Sequence, residues 1–77
     1  MTVAQVREHS EYKVCMDKIK SYPTDFEFTL NWQRIPKPQA NALRIVMEDA
    51  CKEGLLDITS IGLALDGSET DRTYKKL

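Results

Sequence analysis

The chain has only two cysteines, one histidine, three glycines and three prolines, and hardly any excess of charge of either sign. Each shortage excludes something. Cys15 and Cys51 are far apart, lack a Cys-x-x-Cys spacing and have His9 as the sole histidine to join them, so neither a disulfide framework nor a zinc site is indicated. Both thiols are expected reduced. The glycines, Gly54, Gly62 and Gly67, do not cluster into a phosphate-binding loop, and neither Gly-x-Ser-x-Gly nor an Asp-rich metal loop occurs. His9 has no nucleophile or orienting carboxylate that sequence places beside it and reads as a surface residue of a helix. The expectation is a protein that is not an enzyme, with no catalytic residue, metal or cofactor. Apolar runs fall far short of the ~20 residues of a membrane span. The stretch from Met1 to His9 lacks the basic start and apolar run of a signal peptide, so a cytoplasmic protein without membrane contact is expected.

Seventy-seven residues, 42% apolar and 30% charged, describe one ordinary globular domain, residues 1–77. A chain this short buries only about 60% of its unfolded surface, which leaves a thin stability margin. The net charge of −1 hides an uneven distribution. Between residues 34 and 44 stand Arg34, Lys37 and Arg44 with no acid; between 48 and 57 stand Glu48, Asp49, Glu53 and Asp57 against Lys52 alone. A basic patch therefore adjoins an acidic one, where a strong nucleic-acid binder would show a continuous basic face.

Tyr12, Cys15, Met16 and Ile19 fall at i, i+3, i+4 and i+7, so a first helix occupies residues 3–20, with Val3 and Val6 either fraying from it or extending it. Pro23 stops it at Tyr22. Residues 24–35 carry two signals. Phe26, Phe28, Leu30 and Trp32 alternate with polar residues as in a half-buried strand. Thr24-Asp25-Phe26-Glu27 has the spacing of a capping box and would open a short helix. After Ile35-Pro36-Lys37, a long helix runs from Pro38 to about Glu53, with Leu43, Val46, Met47, Ala50 and Cys51 on its apolar face. Gly54 supplies its left-handed cap and Leu55 the accompanying apolar contact. Leu56 to Leu65 and Thr70 to Lys76 form a β-hairpin around Asp66-Gly67-Ser68-Glu69, with a bulge or turn at Gly62.

This order, helix, short helix or strand, long helix, hairpin, resembles the winged helix-turn-helix family over residues 11–77, an α+β fold. Gly54-Leu55 after the long helix, and Asp66-Gly67 followed by Arg72-Thr73-Tyr74-Lys75, carry the likeness. The resemblance implies that Thr24 to Arg34 is the first helix of the motif and that Pro38 to Glu53 is the recognition helix. It further implies a small transcription regulator that reads DNA through Gln39, Asn41 and Arg44, with Lys37 near phosphate and Arg72, Lys75 and Lys76 on the wing touching the backbone or minor groove. The acids Asp66, Glu69 and Asp71 at the wing tip depart from that pattern, since acid repels phosphate. The alternative is an interaction protein of the same fold, an adaptor or inhibitor that binds a protein partner. Bacteriophages and other mobile elements encode small, near-neutral winged-helix proteins that bind host transcription machinery, and this chain is similar to them in length and layout. Cys15 and Cys51 lie on apolar helix faces and read as packing residues.

Overall fold

The protein is described from a computed structural model covering residues 2–77, so Met1 lies outside the described residues. The segment read as one amino-terminal helix is two. Helix α1 spans Val3–Glu8, opened by a capping box in which the Gln5 amide donates to the Thr2 hydroxyl at 3.2 Å and the Thr2 amide to the Gln5 side chain at 2.8 Å. His9 is extended at φ −69° and ψ 139°, and its Nδ1 accepts from the Glu11 amide at 3.1 Å, starting helix α2, Ser10–Ser21. His9 is therefore a helix cap on the surface, a role that periodicity does not reveal. Tyr22 takes an extended conformation ahead of Pro23, whose ring disfavours the helical conformation in its predecessor.

Of the two signals in residues 24–35, the alternating pattern prevails. The Phe26 amide donates to the Pro23 carbonyl at 3.1 Å, and Asp25 turns to φ 71°. The Asp25 amide then donates to Lys76 at 2.8 Å, so the backbone groups of this turn serve the sheet. Strand β1, Glu27–Asn31, follows, and Trp32–Arg34 form a single 3-10 turn. This corrects the helix that the winged-helix resemblance implies for Thr24 to Arg34: strand and turn stand there, and the helix-turn-helix proper has no first helix.

Helix α3 spans Lys37–Lys52, with Pro38 at its second position, where a missing N–H costs nothing. Its end is the predicted one. Gly54 sits at φ 76°, its amide donates to Cys51, and the Leu55 amide donates back to Ala50 at 2.9 Å. A Cβ at Gly54 would meet nothing within 4 Å, so any penalty there is conformational. Gly54→Ala is expected to cost about 1 kcal/mol and lower the thermal midpoint by roughly 4–8 °C. An unchanged midpoint in a thermal melt would remove this account of the cap.

Strands β2, Leu56–Leu63, and β3, Glu69–Lys76, complete an antiparallel sheet of order β1-β3-β2. Phe28 pairs with Tyr74, and Tyr74 with Ile58, on the face turned to the helices. Across the other face the hydroxyls of Thr29 and Thr73 share a hydrogen bond at 2.8 Å, as suits a sheet with one side in water. The register slips at Thr59 and again between Gly62 and Leu63, so the irregularity expected at Gly62 is present without ending the strand. The core, Met16, Ile19, Val46, Met47, Ala50, Leu56 and Tyr74, lies between α2, α3 and the sheet. The architecture is α+β and compatible with a winged-helix-like layout.

Candidate functional site

Glu69, at the start of β3, gathers the residues around which a site could be built. Its carboxylate accepts from the Trp32 indole Nε1 at 2.6 Å and from the Arg72 Nη2 at 2.6 Å, and it pairs with the Arg44 Nη2 at 3.2 Å. The Arg44 guanidinium also lies 4.4 Å from the centre of the Trp32 ring, within cation–π range. The fold explains the convergence. Leu30 and Ile61 flank Arg72 in register, so Arg72 stands on the inner face of the sheet, and the 3-10 turn carries Trp32 to the same corner. Burial pushes the Glu69 carboxyl up, but hydrogen bonds from Arg72 and Trp32 outweigh it and hold the group below its ordinary value. Arg72 is raised in turn by its bond to Glu69.

Beside this cluster, Trp32, Ile35, Lys37, Ala40, Asn41 and Arg44 line an open hollow of about 440 Å³. Three of the residues assigned to DNA, Lys37, Asn41 and Arg44, are thus brought together. Arg72 adjoins them through Glu69, and the other three are dispersed. Gln39 faces a separate groove of about 540 Å³ formed with Val6, Tyr12, Cys15 and Leu43. Arg72 is turned inward on Glu69. Lys75 lies on the opposite sheet face, opposite Glu27 in β1 and Asp57 in β2. Lys76 is buried, with its ammonium donating to the Leu77 carbonyl at 3.3 Å.

The outer stripe of α3 is mixed in sign. Lys37, Asn41, Glu48 and Lys52 are exposed at spacings that keep them on one side of a helix, and Lys52 pairs with Glu48 at 3.4 Å. Asp49, counted in the acidic patch, points inward: Arg7 donates twice to it at 2.9 and 2.8 Å and the Tyr12 hydroxyl donates at 2.7 Å. Those Arg7 hydrogen bonds hold its carboxyl below the usual range against the opposing effect of burial. At the hairpin tip Asp66 accepts from the Ser68 hydroxyl at 2.6 Å and the Ser68 amide at 2.9 Å, so the tip ends in a carboxylate.

Sequence reasoning passed over Glu69, which it counted as repulsive acid, and the apolar surface of β2. Ile58, Ile61, Leu63 and Leu65 are exposed, and the run from Ile58 to Leu65 contains no charge. That run was the available signal, because edge strands ordinarily carry charge to prevent pairing. Cys15 and Cys51 are free and half-buried, and burial pushes the Cys51 thiol up. Among the described residues no cluster of three metal-ligating side chains occurs, and no helix is long and apolar enough to cross a membrane. Comparison with family models, with curated proteins and with solved structures returns no match for this chain.

Proposed function

We propose that this domain is a non-catalytic interaction module that docks a protein through the β2 edge and hairpin, with the winged-helix-like layout as its scaffold. The observation that carries this reading is the disposition of charge and apolar surface. Two of the seven side chains assigned to a duplex, Arg44 and Arg72, share one carboxylate, Lys75 is on the sheet face away from α3, and Lys76 is buried. Four large apolar side chains meanwhile line β2 and its turn without a covering element. An exposed apolar patch on a small protein marks an interaction site more often than an accident of composition. A cytoplasmic setting belongs to the same proposal and suits two free thiols.

A second reading, a regulator that binds DNA, is favoured by one observation: Lys37, Asn41 and Arg44 line a single hollow at the amino-terminal end of α3. Titration of the labelled protein with duplex at about 50 mM salt separates the two, since phosphate-driven binding is strongest there and falls steeply as salt rises. The expected result is no movement of the amide resonances of residues 37–45 and 70–76. Salt-sensitive shifts in those segments would sink the protein-docking reading. Affinity capture supplies the positive arm: a partner held by the natural chain should be lost with Ile61→Lys and retained with Asn41→Ala.

A further inference from the structure

Strand β2 is an edge strand, hydrogen-bonded to β3 on one side only. Its backbone alternates in direction, and the Ala64 amide turns inward to the Ser68 carbonyl at 2.8 Å. The backbone groups of Leu63, and by alternation those of Ile61, therefore face outward, unpaired. Their side chains lie on the helix-facing side of the sheet but beyond the cover of α3, with Ile61 48% and Leu63 66% exposed. Between them stands Gly62, which offers no side chain; a Cβ there would collide with the Asp71 carboxylate on the neighbouring strand. Asp57 and Asp66 close the uncharged run at either end.

We propose that the occupant of this edge is a second copy of the chain, paired antiparallel, β2 to β2, about a two-fold axis at Gly62. The inference rests on the protein-docking reading of this edge and names its partner. In that register Ile61 of each copy stands opposite Leu63 of the other, and these are the two residues whose backbone groups face outward to form the hydrogen-bonded pairs. Gly62 meets Gly62 and Ser60 meets Ala64, so no side chain obstructs the axis. No carboxylate enters the paired segment, because the run from Ile58 to Leu65 carries no charge. The strand is thus complementary to itself in hydrogen bonding, apolar pattern and charge, as a two-fold interface requires. Strand β1 lacks this character, being five residues long and beginning with Glu27. A six-stranded sheet results, with α3 of each copy on the same side. A contact confined to one strand and its turn lies at the small end of specific interfaces, so association in the micromolar range is expected.

Sedimentation equilibrium of the full chain from micromolar to millimolar concentration tests this. The mass should rise with concentration from 8.9 kDa toward twice that value. Ile61→Lys with Leu63→Lys, and separately Ile61→Glu with Leu63→Glu, should each weaken association at least ~100-fold, the scale that like-charge juxtaposition imposes across an interface. An equimolar mixture of the two variants should restore it, because each lysine then faces a glutamate. Both sites are exposed, so the variants should melt like the natural chain. Should either melt early, amide exchange of the natural chain replaces it: protection at Ile61 and Leu63 that grows with concentration is expected, and protection independent of concentration overturns the dimer. A monomer at every concentration, association that survives both variants, or loss without restoration in the mixture also overturns it. A monomer that ignores duplex overturns the dimer alone; duplex-induced shifts along α3 overturn the docking reading beneath it.

Discussion

Tyr74→Ala should leave the protein largely unfolded at room temperature. Tyr74 is the largest fully buried side chain, 1% exposed, on the middle strand of the sheet. Its ring stacks on Phe28 at 5.6 Å, and it belongs to the same cluster as Met16, Ile19, Val46 and Leu56. Truncating a buried aromatic costs about 3–5 kcal/mol through lost transfer energy and the cavity left behind. A domain of this size has only about 4–12 kcal/mol in total, and the small surface it buries favours the lower end. The midpoint of thermal unfolding should fall by well over 10 °C. Phe26→Ala is the control. Phe26 touches Tyr22 at 4.8 Å between ring centres but is 41% exposed, so its loss should cost a small fraction of the Tyr74 value. Comparable midpoints for the two variants would show that the core is not organised around Tyr74.

Tyr74 also marks how far the sequence could be read. The long helix, its glycine cap and the hairpin were legible because each has a local cause: an apolar stripe at helical spacing, a left-handed residue, a turn dipeptide. Residues 24–35 carried two local signals of similar strength, and no local rule could choose between them. The choice came from β3, whose Lys76 carbonyl takes the Asp25 amide and whose Tyr74 receives Phe28, contacts some fifty residues away in the chain. The break at His9 was missed for the opposite reason. The apolar spacing runs on smoothly through α2, and the cap is made by an imidazole nitrogen, which ordinary capping signatures do not include. For the site, composition correctly flagged acid at the wing. It could not show that Glu69 would neutralise the arginines expected to contact DNA, because Trp32, Arg44 and Arg72 come from three different elements.

Glu69→Ala is expected to destabilise the protein by about 2–3 kcal/mol, the cost of leaving a buried donor and a charged neighbour without their acceptor. The Trp32 indole loses its 2.6 Å partner in a position only 8% exposed, while Arg72 and Arg44 are left near one another without an anion. Arg44 is 41% exposed and its pair with Glu69 is screened by water, so most of the loss comes through Trp32 and Arg72. A double-mutant cycle with Trp32→Phe should therefore return a coupling of about 1 kcal/mol or more; additivity would show that the indole bond contributes nothing. The pH dependence has a definite sign. The carboxyl is held below its ordinary value in the folded protein, so its contribution is complete above the unfolded value of about 4.3 and is lost as pH falls through the lower, folded value. Glu69→Gln should be less stable than the natural chain near neutrality, and the gap should close in acid below about pH 4. A gap that persists in acid would assign the loss to shape and not to charge. The same substitution tests how the protein chooses its partner. With Glu69 neutral, Arg44 and Arg72 no longer share a counter-charge beside Lys37 and Asn41, and the variant should bind duplex more tightly than the natural chain does, in a salt-sensitive way. If neither chain binds at low salt, the corner around Trp32 serves only to join β1 and β3 to α3.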